Sequence, residues 1–171
     1  MKKGLVSIVS IILLLSLFAI GYAEDTTEIG IGTCDISGVV LYYFNDNYGY
    51  MADAGAYVYL KPIKAENVGK ETERIKEYSG TLLASQRGTG SKEAGEKLYA
   101  MEEEIKKLKI IAIADGDGRF YIKRIPAGDY IIYILSDHRM LFGDKHYSNI
   151  EAKVIHLEEG QYLEVWSKFS Y

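Results

Sequence analysis

The chain has 171 residues, 48% hydrophobic and 26% charged, and a formal charge of −4. That length can bury one core without a metal or disulfide scaffold, and the acidic balance argues against nucleic acid or an anionic membrane surface as the main partner. Cys34 is the single cysteine, which excludes an intramolecular disulfide.

Met1-Lys2-Lys3, an apolar run from Leu5 to Ile20 and the small residues Ala19 and Ala23 have the order of a secretory signal peptide. The expected organisation is a signal peptide at 1–23, a linker at 24–32 and one domain at 33–171. Cleavage after Ala23 would leave 148 residues at a charge of −6, secreted or held in the periplasm or cell envelope, with no stable membrane span.

From Thr33, the residues Cys34, Ile36, Gly38, Val40 and Tyr42 alternate with Asp35, Ser37, Val39, Leu41 and Tyr43, which predicts a strand. It ends at the turn-forming Asn45–Gly49, and a loop is expected to Gly55. In the strand Ala56–Pro62, Ala56, Val58 and Leu60 take one face, and Tyr57, Tyr59 and Lys61 the other. Residues 64–109 are rich in Glu, Lys, Ala and Gly and read as an inserted helical hairpin. One arm has an apolar stripe at Val68, Thr72, Ile75, Tyr78 and Leu82, the other at Leu98, Met101, Ile105 and Leu108. Residues Gln86–Gly90 form the break between them and Ser91 the cap. Strands resume at Lys109–Ala114 and Arg119–Lys123 around Asp115-Gly116-Asp117-Gly118, then at Tyr130–Leu135 after Pro126-Ala127-Gly128, and in a last hairpin of Ile150–Leu157 and Gln161–Phe169. The expectation is a mainly β fold, a seven-stranded antiparallel Greek-key β-sandwich with an inserted α-helical hairpin.

The strings Ile36-Ser37-Gly38-Val39-Val40, Ala54-Gly55-Ala56-Tyr57-Val58-Tyr59-Leu60, Asp117-Gly118-Arg119-Phe120-Tyr121-Ile122 and Ile125-Pro126-Ala127-Gly128-Asp129-Tyr130 stand in that order. Together they resemble the carboxypeptidase-regulatory-like (transthyretin-like, prealbumin-like) β-sandwich domain family. The resemblance runs from Ile36 to about Phe169 and departs at the helical insertion. It implies an accessory module that supports, positions or binds. A related transthyretin-like enzyme group uses histidines near its start and a C-terminal Tyr-Arg-Gly-Ser. This chain ends Lys168-Phe169-Ser170-Tyr171 with no histidine before His138, so that activity does not carry over.

No nucleophile and base stand at a recognisable catalytic spacing, and neither enzymatic activity nor a cofactor is expected. Asp137, His138, Asp144 and His146 fall in one predicted loop and could hold a divalent metal, which keeps a metal-dependent hydrolase open. Asp115 and Asp117 have oxygen ligands suited to calcium, although turn chemistry accounts for both. Among 15 tyrosines, Tyr57, Tyr59 and Tyr121 are expected to point away from the core and, with Lys61 and Lys123, to form an aromatic strip for a glycan or an envelope protein. Ile131, Tyr133 and Leu135 make the outer face of one sheet apolar, so something must cover it. The helical hairpin is expected to do so. The alternative is a homo-oligomer, a self-assembling envelope component that shares those stripes between copies.

Overall fold

The computed structural model describes residues 31–86, 92–142 and 145–170, with backbone alone at 85–86, 92, 139–142 and 145–147. The expected signal peptide, most of the linker, the break at 87–90 and the Ser91 cap lie outside the described residues. The described residues form eight strands: β1 (Cys34–Asn45), β2 (Gly49–Ala52), β3 (Tyr57–Ile63), β4 (Ile110–Ile113), β5 (Arg119–Ile125), β6 (Gly128–Phe142), β7 (Lys145–Leu157) and β8 (Tyr162–Phe169). Between β3 and β4 a 3-10 turn leads into α1 (Val68–Gln86) and α2 (Lys92–Lys106).

The strands form two four-stranded sheets. In sheet A, β8 flanks one edge of β1, while β5 and β2 share the other edge, β5 beside residues 34–39 and β2 beside residues 41–45. Sheet B has the order β4-β3-β6-β7. The expected seven antiparallel strands therefore need correction in count and in direction. β2, read as loop because it is so short, returns from the Asn45–Tyr48 turn against β1, and β8 runs parallel to β1 from Asp35↔Tyr162 to Tyr42↔Phe169. Within the stretch 136–149, read as a loop, residues 136–142 continue β6 and 145–149 belong to β7, with Arg139 opposite Ser148 and Leu141 opposite His146.

Two cores result. Between the sheets lie Cys34, Ile36, Val40, Val58, Leu60, Phe120, Ile122, Tyr130, Ile132, Ile134, Leu157, Val165 and Phe169. Two glycines allow this packing. A Cβ on Gly38 would fall 2.4 Å from the Val165 carbonyl oxygen and 2.5 Å from the Phe120 ring, and one on Gly118, at φ +73°, would fall 2.4 Å from the Val40 carbonyl oxygen. At the β5–β6 turn the Tyr130 hydroxyl donates to the Pro126 carbonyl at 2.8 Å, closing the Pro-Ala-Gly corner.

The second core lies between sheet B and the helices. Ile75, Tyr78 and Leu82 of α1 and Leu98, Met101 and Ile105 of α2 meet Tyr59, Ile131, Tyr133, Leu135, Ile150 and Ala152. The i, i+3, i+7 spacing gives each helix one apolar stripe, and both stripes point at the same sheet. Polar contacts set the register. Arg74 reaches Glu71 at 3.0 Å, Glu104 at 3.1 Å and the Tyr133 hydroxyl at 3.2 Å. Glu102, buried in the middle of α2, accepts the Ser148 backbone N–H at 3.1 Å and its hydroxyl at 3.0 Å, and pairs with Lys106 at 2.7 Å.

Burial pushes the Glu102 carboxyl up, but the Lys106 ammonium and the two Ser148 donors outweigh it, so the group lies below the ordinary carboxylate range. Its contribution is thus fully present above the unfolded carboxylate value of about 4.3 and is lost as pH falls through the lower folded value. Glu102→Gln is expected to destabilise the protein at neutral pH, with the gap to wild type narrowing below about pH 4. Urea denaturation across a pH series measures it, and a pH-independent gap would show that the carboxylate charge plays no part. Replacing residues 64–109 by a short Gly-Ser linker bares Ile131, Tyr133 and Leu135 and should give aggregated or unfolded protein in size-exclusion chromatography.

Candidate functional site

Sheet B is covered by the helices on one side and by sheet A on the other. The outer face of sheet A has no such layer among the described residues. Its composition follows from register. The inward residues of β1 are Cys34, Ile36, Gly38, Val40 and Tyr42, which leaves Asp35, Ser37, Val39, Leu41 and Tyr43 outside. Beside them β5 presents Arg119, Tyr121 and Lys123, β8 presents Tyr162, Glu164, Trp166 and Lys168, and β2 presents Tyr50.

Cross-strand pairing sets these residues in rows about 6.6 Å apart along the strands. One row runs Tyr121, Ser37, Glu164, and the next Arg119, Val39, Trp166. Tyr162 is 63% exposed, Tyr121 57%, Trp166 52% and Tyr50 47%. The Ser37 and Tyr162 hydroxyls are hydrogen-bonded to each other, which leans Tyr162 over the middle of β1. Tyr43 meets Tyr50 edge-on at 5.5 Å, and the Lys168 ammonium sits 5.5 Å from the Tyr50 ring centre. The Tyr43 phenol donates to the Asp46 carboxylate; that bond, with lesser contributions from desolvation and from Tyr50, holds its pKa above the ordinary tyrosine value. From the edge, Lys153 donates to the Trp166 carbonyl at 2.7 Å and pairs with Glu151 at 2.7 Å, while the Ser167 hydroxyl donates to Glu151. The backbone under Trp166 is thereby tied to β7. The result is a platform of aromatic rings with charged groups between them.

The aromatic strip expected from Tyr57, Tyr59 and Tyr121 is not a single surface. Tyr121 belongs to sheet A and the other two to sheet B, on opposite outer faces of the sandwich. Tyr59 is 4% exposed beneath the helices, where burial raises its pKa, and Tyr57 stands near the β4 edge opposite Ile113. Lys61, expected in the strip, pairs with Glu71 at 3.6 Å. Alternation within a strand separates inner from outer residues but does not say which sheet the strand joins. Tyr162 and Trp166 were missed, although Tyr162-x-Glu164-x-Trp166-x-Lys168 has the same period of two.

Of the expected metal ligands, Asp144 and the His146 side chain lie outside the described residues. Asp137 and His138 are neighbours on β6. The His138 Nδ1 is 3.0 Å from the Oδ1 of the fully buried Asp53, and its ring stacks on Tyr42 at 3.7 Å. Among the described residues no group of three or more His, Cys, Asp and Glu side chains is placed to hold a metal ion. At the β4–β5 turn the Asp115 Oδ1 accepts the N–H groups of Asp117 and Arg119 at 3.0 and 2.9 Å, so turn bonding occupies it. No helix among the described residues is long and apolar enough to cross a membrane.

Exposure separates the roles of the tyrosines. Tyr59→Ala should cost about 3 kcal/mol or more. Tyr121→Ala and Trp166→Ala should each cost less than about 1 kcal/mol. Thermal and urea denaturation measure this contrast. A large loss at Tyr121 or Trp166 would mean that the platform is structural.

No protein-family pattern matches the chain, and no curated protein matches it. Among solved structures it is similar to a candidate carbohydrate binding protein from Pseudomonas aeruginosa, at 14% identity and a TM-score of 0.45, over 84% of this chain and 92% of that one. It is also similar to the minor pilin GBS52 of Streptococcus agalactiae, at 10% identity and a TM-score of 0.39, over 82% of this chain and 45% of the pilin. A third similarity is to the pilus protein RrgB of Streptococcus pneumoniae, at 13% identity and a TM-score of 0.29, over 80% of this chain and 29% of that protein. The chain thus spans less than half of either pilin.

Proposed function

We propose that this is an exported, non-enzymatic binding module that holds glycan chains on the outer face of sheet A. The observation that carries this reading is the placement of Tyr50, Tyr121, Tyr162 and Trp166 on one open sheet face, each about half exposed or more. Aromatic rings offer large apolar area at little rotamer cost, and their hydroxyl and indole N–H groups add hydrogen bonds. A sugar ring presents an apolar face and a polar rim, which is the complement of such a platform. The Lys-Lys start, apolar run and Ala-x-x-x-Ala exit of residues 1–23 support export.

The rival reading, self-assembly through the helical hairpin, draws less support, because Ile75, Tyr78, Leu82, Leu98, Met101 and Ile105 are already buried against the chain's own sheet B. Trp166 is the single tryptophan and therefore reports directly on the face. Titration with a panel of soluble neutral and acidic polysaccharides is expected to shift Trp166 fluorescence with at least one of them, and affinity electrophoresis should show retardation by that same polymer. Tyr121→Ala and Tyr162→Ala should each weaken binding about tenfold, the 1.4 kcal/mol equivalent of losing one stacked ring. If no polysaccharide is bound, or if binding ignores both tyrosines, the reading fails.

A further inference from the structure

Resting on that reading, we infer that the ligand is an acidic polysaccharide whose sugar rings bear carboxylates, and that Arg119, Lys123 and Lys168 select it. The chain as a whole is acidic, with 24 Asp and Glu against 20 Lys and Arg. The platform reverses that balance. Its exposed charged side chains are Arg119, Lys123 and Lys168 against Glu164 and, at the β1–β2 turn, Asp46, which the Tyr43 phenol occupies, since Asp35 is half-buried and its Oδ1 accepts the Arg124 N–H at 2.9 Å. Among the described residues none of the three cations lies in an ion pair, so no carboxylate of the chain's own occupies them.

Their positions matter as much as their number. On β5, Arg119 and Lys123 flank Tyr121 at two residues on either side, and on β8 Lys168 follows Trp166 by two. Each of these rings therefore has a cation on the same face about 6.6 Å away along the strand. A hexuronate is built to match, because its ring can stack while the carboxylate on its edge reaches past the aromatic to the adjacent guanidinium or ammonium. Arg119 can take that carboxylate in a two-bonded fork, and Lys168, over Tyr50, can take one as a point charge.

The test uses the full purified chain with polygalacturonate, alginate and hyaluronate, and with each polymer after reduction of its carboxylates to alcohols. Dextran sulfate serves as an indifferent polyanion and dextran as a neutral glycan. The expected result is binding to at least one native acidic polymer and a loss of tenfold or more on carboxyl reduction. Binding should also weaken with salt, since exposed charges are screened. Arg119→Gln and Lys168→Gln should each lower affinity for the acidic polymer at least threefold more than for its reduced form, with unchanged melting temperature. Equal binding of native and reduced polymers, still dependent on Tyr121, would overturn the charge selection and leave the glycan reading standing. Binding of dextran sulfate as tight as that of the uronates would also overturn it, as general polyanion attraction. Binding of no polymer, native, reduced or neutral, would remove both.

Discussion

Six consecutive residues of β6, Tyr130 to Leu135, are each at most 4% exposed. Because strand side chains alternate, Tyr130, Ile132 and Ile134 enter the core between the sheets and Ile131, Tyr133 and Leu135 the core beneath the helices. A central strand that is dry on both faces needs a layer on each side. Burying Ile131, Tyr133 and Leu135 is worth roughly 5–9 kcal/mol at 1.5–3 kcal/mol per side chain. Domains of this size are stable by only about 5–15 kcal/mol, so the helical layer is a condition of the fold and not an ornament on it. Once sheet B is enclosed in this way, the outer face of sheet A is, among the described residues, the sheet face left uncovered.

Apolar burial alone would not fix how two helices lie on a sheet, because it has no direction. Glu102 and Arg74 supply the direction. Glu102 bonds a backbone N–H and a hydroxyl of Ser148 on β7, and Arg74 joins α1 to α2 through Glu104 and to β6 through Tyr133. Burial raises the Tyr133 phenol above its ordinary range, an effect the neighbouring Arg74 only partly offsets. A buried charge such as Glu102 returns little net stability, but the loss of its partner strands it, and that penalty enforces a single register of α2.

Local alternation made part of this architecture legible in the sequence. The inward set Cys34, Ile36, Gly38, Val40 and Tyr42, the helical stripes and the need to cover Ile131, Tyr133 and Leu135 all follow from periods of two and of 3.6. Nonlocal pairing was not legible. Nothing in Gln161–Phe169 says that it will lie parallel to β1, and nothing in Tyr57 or Tyr121 says that their strands join different sheets. The stretch 136–149 looked like a loop because its charged and polar residues lack a clean apolar alternation, yet hairpin pairing carries its residues 136–142 and 145–149 as strand. The candidate site suffered most, since it depends on which strands become neighbours. Of the residues expected there, Tyr121 and Lys123 lie on the platform.

An open sheet face bearing aromatic rings invites self-association, and natural proteins counter this with interspersed charge. Arg119, Lys123, Glu164 and Lys168 do this on sheet A, each set between apolar or aromatic neighbours of the same face. Inward partners lock their positions, because Phe120, Ile122, Val165 and Phe169 are all buried in the core beneath. The platform is therefore organised before any ligand arrives, and binding need not spend free energy on ordering it. The charges set between the rings are the same charges that a polymer of the proposed kind would have to satisfy. On the proposed reading, solubility and selectivity on this face are one property, set by which cations stand beside which rings.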